Sequence, residues 1–244
     1  MANDQLIYGL RPILQAVQDG QTIDKVFLQK GISGALYTQL EGTLRDAGIE
    51  PKYVPVEKLN RVTRGNHQGA VAYLSPIACH ELEEVIMKVT EEGRKPLILA
   101  LDRITDVRNF GAIARTADCS GVDAIVIPKN DSAPISADAV RTSTGALLEV
   151  PVCKVNHMKD AIYLAQSLGL KIIAGTEKSE TPMYDAPFNE PCMLIMGNEE
   201  TGVHKGLLQL TDAKALIPMH GQINSLNVSV ATGIILYEAV RQRS

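Results

Sequence analysis

The sequence predicts an α/β protein whose larger part is built on a parallel sheet. From Leu97 onward, short apolar stretches of strand length alternate with segments of helical period. Polar, glycine-bearing loops follow several of these strands, which places chemistry where open α/β sheets bind ligands. A smaller alternation of helix and strand precedes them.

The smaller part occupies residues 1–76. Leu10, Ile13, Leu14 and Val17 recur at helical spacing over residues 9–19. Residues 25–29 read as a strand, and 35–47 as a second helix that ends at Gly48. Tyr53-Val54 and residues 69–74 supply two more strand candidates. A charged helix near 81–90 and the turn 91–96 follow, and residues 77–96 are read as the link between domains. In the larger part, residues 97–244, strands are expected at 97–101, 124–127, 171–174, 193–196 and 215–217. Helices are expected at 110–120, 158–167 and 227–241. There is no internal repeat and no low-complexity tract.

Composition narrows the classes. Hydrophobic residues make up 45% and charged residues 21% of the 244, a globular profile. No apolar run approaches the roughly 18 residues of a membrane span, and the first residues lack the pattern of a signal peptide. The expectation is an intracellular, cytoplasmic protein without membrane association. Cys79, Cys119, Cys153 and Cys192 lie at least 34 residues apart, so neither a zinc site nor a redox pair is expected. Cys119, Cys153 and Cys192 sit in or beside apolar segments and read as buried thiols. Net charge is −4; residues 1–76 hold 8 Lys+Arg against 7 Asp+Glu and the remainder 16 against 21. That asymmetry is too weak to identify a nucleic-acid partner by itself.

Three segments concentrate polar groups. The first is L-D-R-I-T-D-V-R-N-F-G-A-I-A-R-T-A, residues 101–117, where a strand ends and a helix begins near Asn109. Asn109 suits a helix cap, and Arg115 falls six residues later among small and apolar neighbours. The second is C-M-L-I-M-G-N-E-E-T-G-V, residues 192–203, in which an apolar strand runs into Gly197 and Gly202. It is neither a Walker loop nor a dinucleotide fingerprint. The third, residues 217–237, places Asn224, Ser225 and Asn227 at the start of a helix, where they can cap it. Ser229, Ala231, Thr232 and Gly233 then keep much of one helix face small, which means close packing there.

In this order and spacing, N-F-G-A-I-A-R-T-A, I-M-G-N-E-E-T-G-V and I-P-M-H-G-Q-I-N-S-L-N-V-S-V-A resemble the three motifs of the SpoU RNA methyltransferases, within residues 97–244. One departure is Val107, where that family usually has proline; the change alters loop stiffness but removes no polar group. Residues 1–76, with Gly9 opening a helix and Asn66-His67-Gln68-Gly69 leading into the last strand, resemble the ribosomal-protein-like RNA-binding domain fused to some members. The pairing looks like the bacterial 23S rRNA guanosine 2′-O-methyltransferases.

The resemblance implies a trefoil-knotted carboxyl-terminal domain, a homodimer, and methyl transfer from S-adenosylmethionine to a ribose 2′-hydroxyl of ribosomal RNA. Thr176, Gly197, Ile217 and Leu226 match the cofactor-binding positions, and no metal is implied. Asn109, Arg115, Glu199, Ser225 and Asn227 match the catalytic ones. Arg115 would stand beside the hydroxyl as a cation steadying its developing charge or pairing with phosphate, oriented by Glu199. Ser225 and Asn227 would bind the ribose or its phosphate. A tRNA ribose methyltransferase of the same family, an rRNA enzyme of the antibiotic-resistance type acting on adenosine, and a non-catalytic knotted RNA-binding protein are the competing readings.

Overall fold

The computed structural model describes residues 6–222 and 225–244; Asn224 of the third segment lies outside them. Two compact units divide the chain, one of Met1–Ala78 with Ile135–Ala137 and one of Cys79–Pro134 with Asp138–Ser244.

The first unit runs β1 (Leu6–Tyr8), α1 (Leu10–Gln18), β2 (Ile23–Gln29), α2 (Ala35–Asp46), β3 (Lys52–Val54), α3 (Val56–Val62) and β4 (Ala70–Leu74). Its mixed sheet has the order β1-β4-β2-β3, with β3 parallel to β2 and the other pairs antiparallel. Strand alternation sorts the side chains by face. Val26, Leu28, Ala70 and Ala72 pack under α1 and α2, whereas Val71 and Val54 meet Leu59 of α3. β1 and α3 were not expected; each is shorter than the windows in which periodicity can be read.

The second unit opens with α4 (Leu82–Glu91), then β5 (Leu97–Asp102), α5 (Val107–Cys119), β6 (Ala124–Pro128), the short α6 (Ala137–Thr142), β7 (Val152–Val155), α7 (Met158–Ser167) and β8 (Lys171–Gly175). It closes with β9 (Cys192–Gly197), α8 (Lys205–Leu208), β10 (Ala213–Ala215) and α9 (Val228–Arg243). All six strands are parallel, in the order β10-β8-β9-β5-β6-β7. β9, late in the chain, lies between β5 and β8, so Gly197 pairs with Asp102 at the carboxyl edge of the sheet. α4 and α7 cover one face, while α9, with α5 packed beside it, contacts β8 and β9 on the other. Arg243 fastens the end of α9, donating to the carbonyls of Lys95 and Phe188 at 2.7 Å each, just ahead of β5 and β9.

Four expectations change. Residues 79–96 are part of the second unit and not a link, because Leu82 and Ile86 of α4 enter its core. Helix α5 begins at Val107, since Asp106 takes the cap position and its Oδ1 accepts the Asn109 amide at 2.8 Å. The last strand is Ala213–Ala215 and not 215–217; Leu216 turns instead to the 181–183 segment, where its amide donates to Thr181 O. Cys119 is exposed, lying one helical turn after the exposed Arg115 on α5; Cys153 and Cys192 are buried. Burial pushes the Cys153 thiol up to about 12.

If α4 is core, truncating Ile86, which is 1% exposed, carries the cost of a cavity. Ile86→Ala is expected to lower unfolding free energy by about 2–5 kcal/mol in a urea titration. A loss below about 0.5 kcal/mol, the scale of a surface change, would mean the helix packs on nothing.

Candidate functional site

The carboxyl ends of β8, β9 and β10 leave a cavity of about 350 Å³ against the start of α9, at the low end of the roughly 300–1,000 Å³ of small-molecule sites. Thr176, Gly197, Ile217 and Leu226, the four expected cofactor contacts, all line it, as do Glu199 and Ser225. Leu216, Ile217, Leu226, Ala231 and Ile235 make an apolar wall suited to a flat aromatic base. Glu177, Asn198 and Glu200 supply the polar groups that a ribose and an amino-acid moiety need. The residues present therefore fit S-adenosylmethionine.

Glycine makes that cavity possible. A Cβ on Gly197 would lie 2.1 Å from Gly202 C and Val203 N, so the 198–203 turn folds directly over the end of β9. Residue 202, at φ +67°, adopts a backbone conformation that favours glycine. At the first segment, a Cβ on Gly111 would sit 2.6 Å from Thr142 Cβ, so this glycine lets α6 approach α5.

Three of the five expected catalytic side chains meet beside the cavity. Glu199 Oε1 accepts from Asn109 Nδ2 at 3.0 Å, from the Val228 amide at 3.3 Å, and from Asn227 Nδ2. Asn227 Nδ2 also donates to Asn109 Oδ1 at 3.0 Å, closing the ring. The other end of the Asn227 amide caps α9, with Oδ1 accepting from Ser229 N at 2.9 Å and Val230 N at 3.4 Å. Capping and clustering are thus one arrangement, and the cap orients the amide. Because Asp106 caps α5, the Asn109 side chain is released to reach Glu199. Glu199 Oε2 has no hydrogen-bond partner among the described residues.

Arg115 stands apart. Six residues at 100° each carry it about 240° around α5 from Asn109, and its exposed side chain makes no hydrogen bond or ion pair among the described residues. Glu199 engages the two asparagines and does not orient Arg115. Arg108, seven residues earlier, is also exposed and shares the Arg115 stripe; the i, i+7 spacing was visible in the sequence. Among the described residues no group of three His, Cys, Asp or Glu side chains could hold a metal ion.

A second feature was not legible. Arg103, at φ +59°, donates to both Asp102 carboxylate oxygens at 3.1 and 3.0 Å, to Thr201 Oγ1 at 3.2 Å and to Gly202 O at 3.0 Å. Its own carbonyl accepts from Asn198 Nδ2 at 3.2 Å, and Asp102 Oδ2 accepts the His204 amide at 2.8 Å. Hydrogen bonding to Asp102 is the main cause that raises the guanidinium pKa, against desolvation. This clamp fastens the 198–204 turn to the end of β5.

Residues 96–237 match the model of the SpoU rRNA methylase family, and residues 6–78 match that of the RNA 2′-O ribose methyltransferase substrate-binding domain. The chain is 32% identical, over 98% of its length and 99% of the relative's, to a 23S rRNA (guanosine-2′-O-)-methyltransferase of Photorhabdus laumondii. The SpoU methyltransferase AviRb of Streptomyces viridochromogenes, solved with AdoMet, matches 98% of this chain and 90% of that one at 27% identity and TM-score 0.62. A TrmH/SpoU tRNA-modifying enzyme of A. aeolicus, at 34% identity and TM-score 0.56, matches 66% of this chain and 84% of that one.

Arg103→Ala removes four donated hydrogen bonds and takes partners from the buried Asp102 carboxylate. Stability is expected to fall by about 1–3 kcal/mol, and hydrogen exchange over residues 198–204 to accelerate. Unchanged exchange in that turn would show that the clamp does not hold it.

Proposed function

The chain belongs to the SpoU rRNA methylase family and is an S-adenosylmethionine-dependent RNA ribose 2′-O-methyltransferase; on that footing we propose that its target is a guanosine of 23S ribosomal RNA. The observation that carries this is coverage. The relative that modifies 23S rRNA aligns along both units, whereas the tRNA-modifying structure spans about two thirds of the chain. Ribosomal RNA as substrate also implies work in the cytoplasm, and no described helix is long and apolar enough to cross a membrane.

The cofactor, held by Thr176, Gly197, Ile217 and Leu226, supplies a methyl group on a sulfonium, already activated for displacement. What remains for the protein is to orient the ribose oxygen and take its proton. Ser225, on the cavity wall, and the Asn109–Asn227 pair position the ribose. Glu199 divides its labour: Oε1 is saturated by donors that fix the carboxylate, and Oε2 is the proton acceptor. Arg115 contributes a cation and not a base, and steadies the developing negative charge or the adjoining phosphate.

Arg115 does not reach the Glu199 cluster within one chain, and this favours the homodimer. Exposed Val230 and Tyr237, 49% and 54% accessible and seven residues apart, make an apolar stripe on α9 beside α5. A second copy seated there would let Arg115 of one chain serve the cluster of the other. The trefoil knot is our reading of the close packing at the cavity, where residues 216–219, 225–228 and the start of α9 line the site beside the 198–203 turn, which leaves no room for a Cβ on Gly197.

Transfer of labelled methyl groups onto separated rRNA and tRNA, followed by mapping of the modified nucleotide, tests the substrate; label in tRNA alone would overturn it. Arg115→Ala is expected to lower the single-turnover rate by roughly 10²–10³ with unchanged affinity for S-adenosylhomocysteine, and Arg115→Lys to recover part of it. Glu199→Gln keeps an acceptor at Oε1 but removes a base, so a loss of about 10²–10⁴ is expected. A folded Glu199→Gln enzyme with the wild-type rate and pH profile would assign the proton elsewhere.

A further inference from the structure

The first unit is nearly neutral as a whole, yet one end of it carries an excess of cations. The loops after β1, β2 and β3 and the loop before β4 gather at one end of its sheet. The Gly9 amide donates to Ala70 O at 2.9 Å, the Gln29 amide to Gly69 O at 2.8 Å and the Lys30 amide to Val54 O at 3.0 Å. Lys30 and Arg64 are exposed on these loops and Arg11 on the first turn of α1, and α3 adds exposed Lys58 and Arg61. Glu57 is the one acidic residue among these segments, and none of the five cations is in an ion pair among the described residues. The far end, where α1 and α2 finish and β2 and β3 begin, mixes Asp19, Asp24, Asp46 and Glu50 with Lys25, Arg45 and Lys52.

Other features at the basic end point the same way. α2 starts there on Gly34 with no side-chain cap, so its amino-terminal N–H groups favour anions, while at the start of α1 the Leu10 amide donates to Gln68 Oε1 at 3.4 Å. Tyr8 is 40% exposed, and Gly65 lies so close that a Cβ would fall 2.5 Å from the ring, which fixes its orientation. His67 is buried and holds the loop: its Nδ1 accepts the Gly69 amide at 3.0 Å while Nε2 bonds Asn60 Oδ1 of α3 at 2.9 Å. Gln68, at φ +49°, is exposed with its Oε1 turned back to accept the Leu10 amide, and Asn66 is exposed. A fixed exposed aromatic, amide side chains and unpaired cations are the means by which proteins take unpaired RNA bases and their phosphates.

Resting on the reading of the chain as an RNA methyltransferase, we propose that this end of the first unit, with Tyr8, Asn66, Gln68 and the cations Arg11, Lys30, Arg61 and Arg64, grips an RNA strand with unpaired bases. Tyr8 stacks on a base, the amides meet base edges, and the cations follow the backbone.

The test uses the full chain, a labelled synthetic RNA hairpin with an unpaired loop, and a duplex of the same length. Arg61→Glu with Arg64→Glu is expected to weaken hairpin binding at least tenfold and to reduce its salt dependence. Arg45→Glu with Lys52→Glu, the same change of charge at the far end, should alter it less than twofold. Tyr8→Leu should weaken hairpin but not duplex binding, and Tyr8→Phe restore it. Equal losses from both charge pairs would overturn the assignment of this end, and wild-type hairpin binding by Tyr8→Leu would overturn stacking on unpaired bases. Calorimetry of S-adenosylhomocysteine on each variant separates the two levels: unchanged affinity leaves the methyltransferase reading standing whichever way the RNA results fall.

Discussion

One carboxylate oxygen joins parts of the chain far apart in sequence. Glu199 Oε1 takes hydrogen bonds from Asn109 near the start of α5 and from Asn227 and Val228 at the start of α9. Hydrogen bonds to a charged acceptor contribute about 1.5–3 kcal/mol each, and the α9 cap about 1 more. Because Asn227 serves as cap and as donor at once, the first turn of α9 cannot move without disturbing Glu199. The position of α9 in turn sets the wall formed by Ala231 and Ile235, so the cavity inherits its shape from this cluster.

That cluster works only because the turn carrying Glu199 is held down. Gly197 gives up its side chain so that Gly202 and Val203 can lie on it, and register pairs Gly197 with Asp102. Arg103 then reaches across from β5 to Thr201 and Gly202. Its left-handed backbone costs of order 1–3 kcal/mol, offset by the bonds that its guanidinium makes. Strain in one residue is exchanged for a rigid lip on the cavity, the condition under which a small ligand and a ribose can be aligned.

The two units solve the same problem with different means. The second needs fixed geometry for chemistry, and buries its strands on both faces to obtain it. The first needs a surface, and keeps a modest core under α1 and α2 while gathering an excess of cations at one end. Its buried histidine illustrates the economy: His67 holds the loop that carries Asn66 and Gln68 through bonds to Asn60 and the Gly69 amide.

Residue order alone determined the α/β class and the parallel alternation after Leu97, and the resemblance of its motifs singled out residues that line the cavity. Apolar runs such as Leu97 to Leu101 have strand length and no polar interruption, and the motif residues carry their own chemistry. Sequence could not separate the two uses of Asn109, because a cap and a ligand contact require the same side chain. Tertiary structure decided for Asp106 as cap and Asn109 as partner of Glu199. Nor could it place Arg115, whose neighbours are small and apolar but whose own direction depends on helix phase. Short elements such as β1 and α3, and the Arg103 clamp, exist through contacts with distant strands and not through local periodicity. These are pairings over tens of residues, and a linear pattern records which groups are present but not which of them meet.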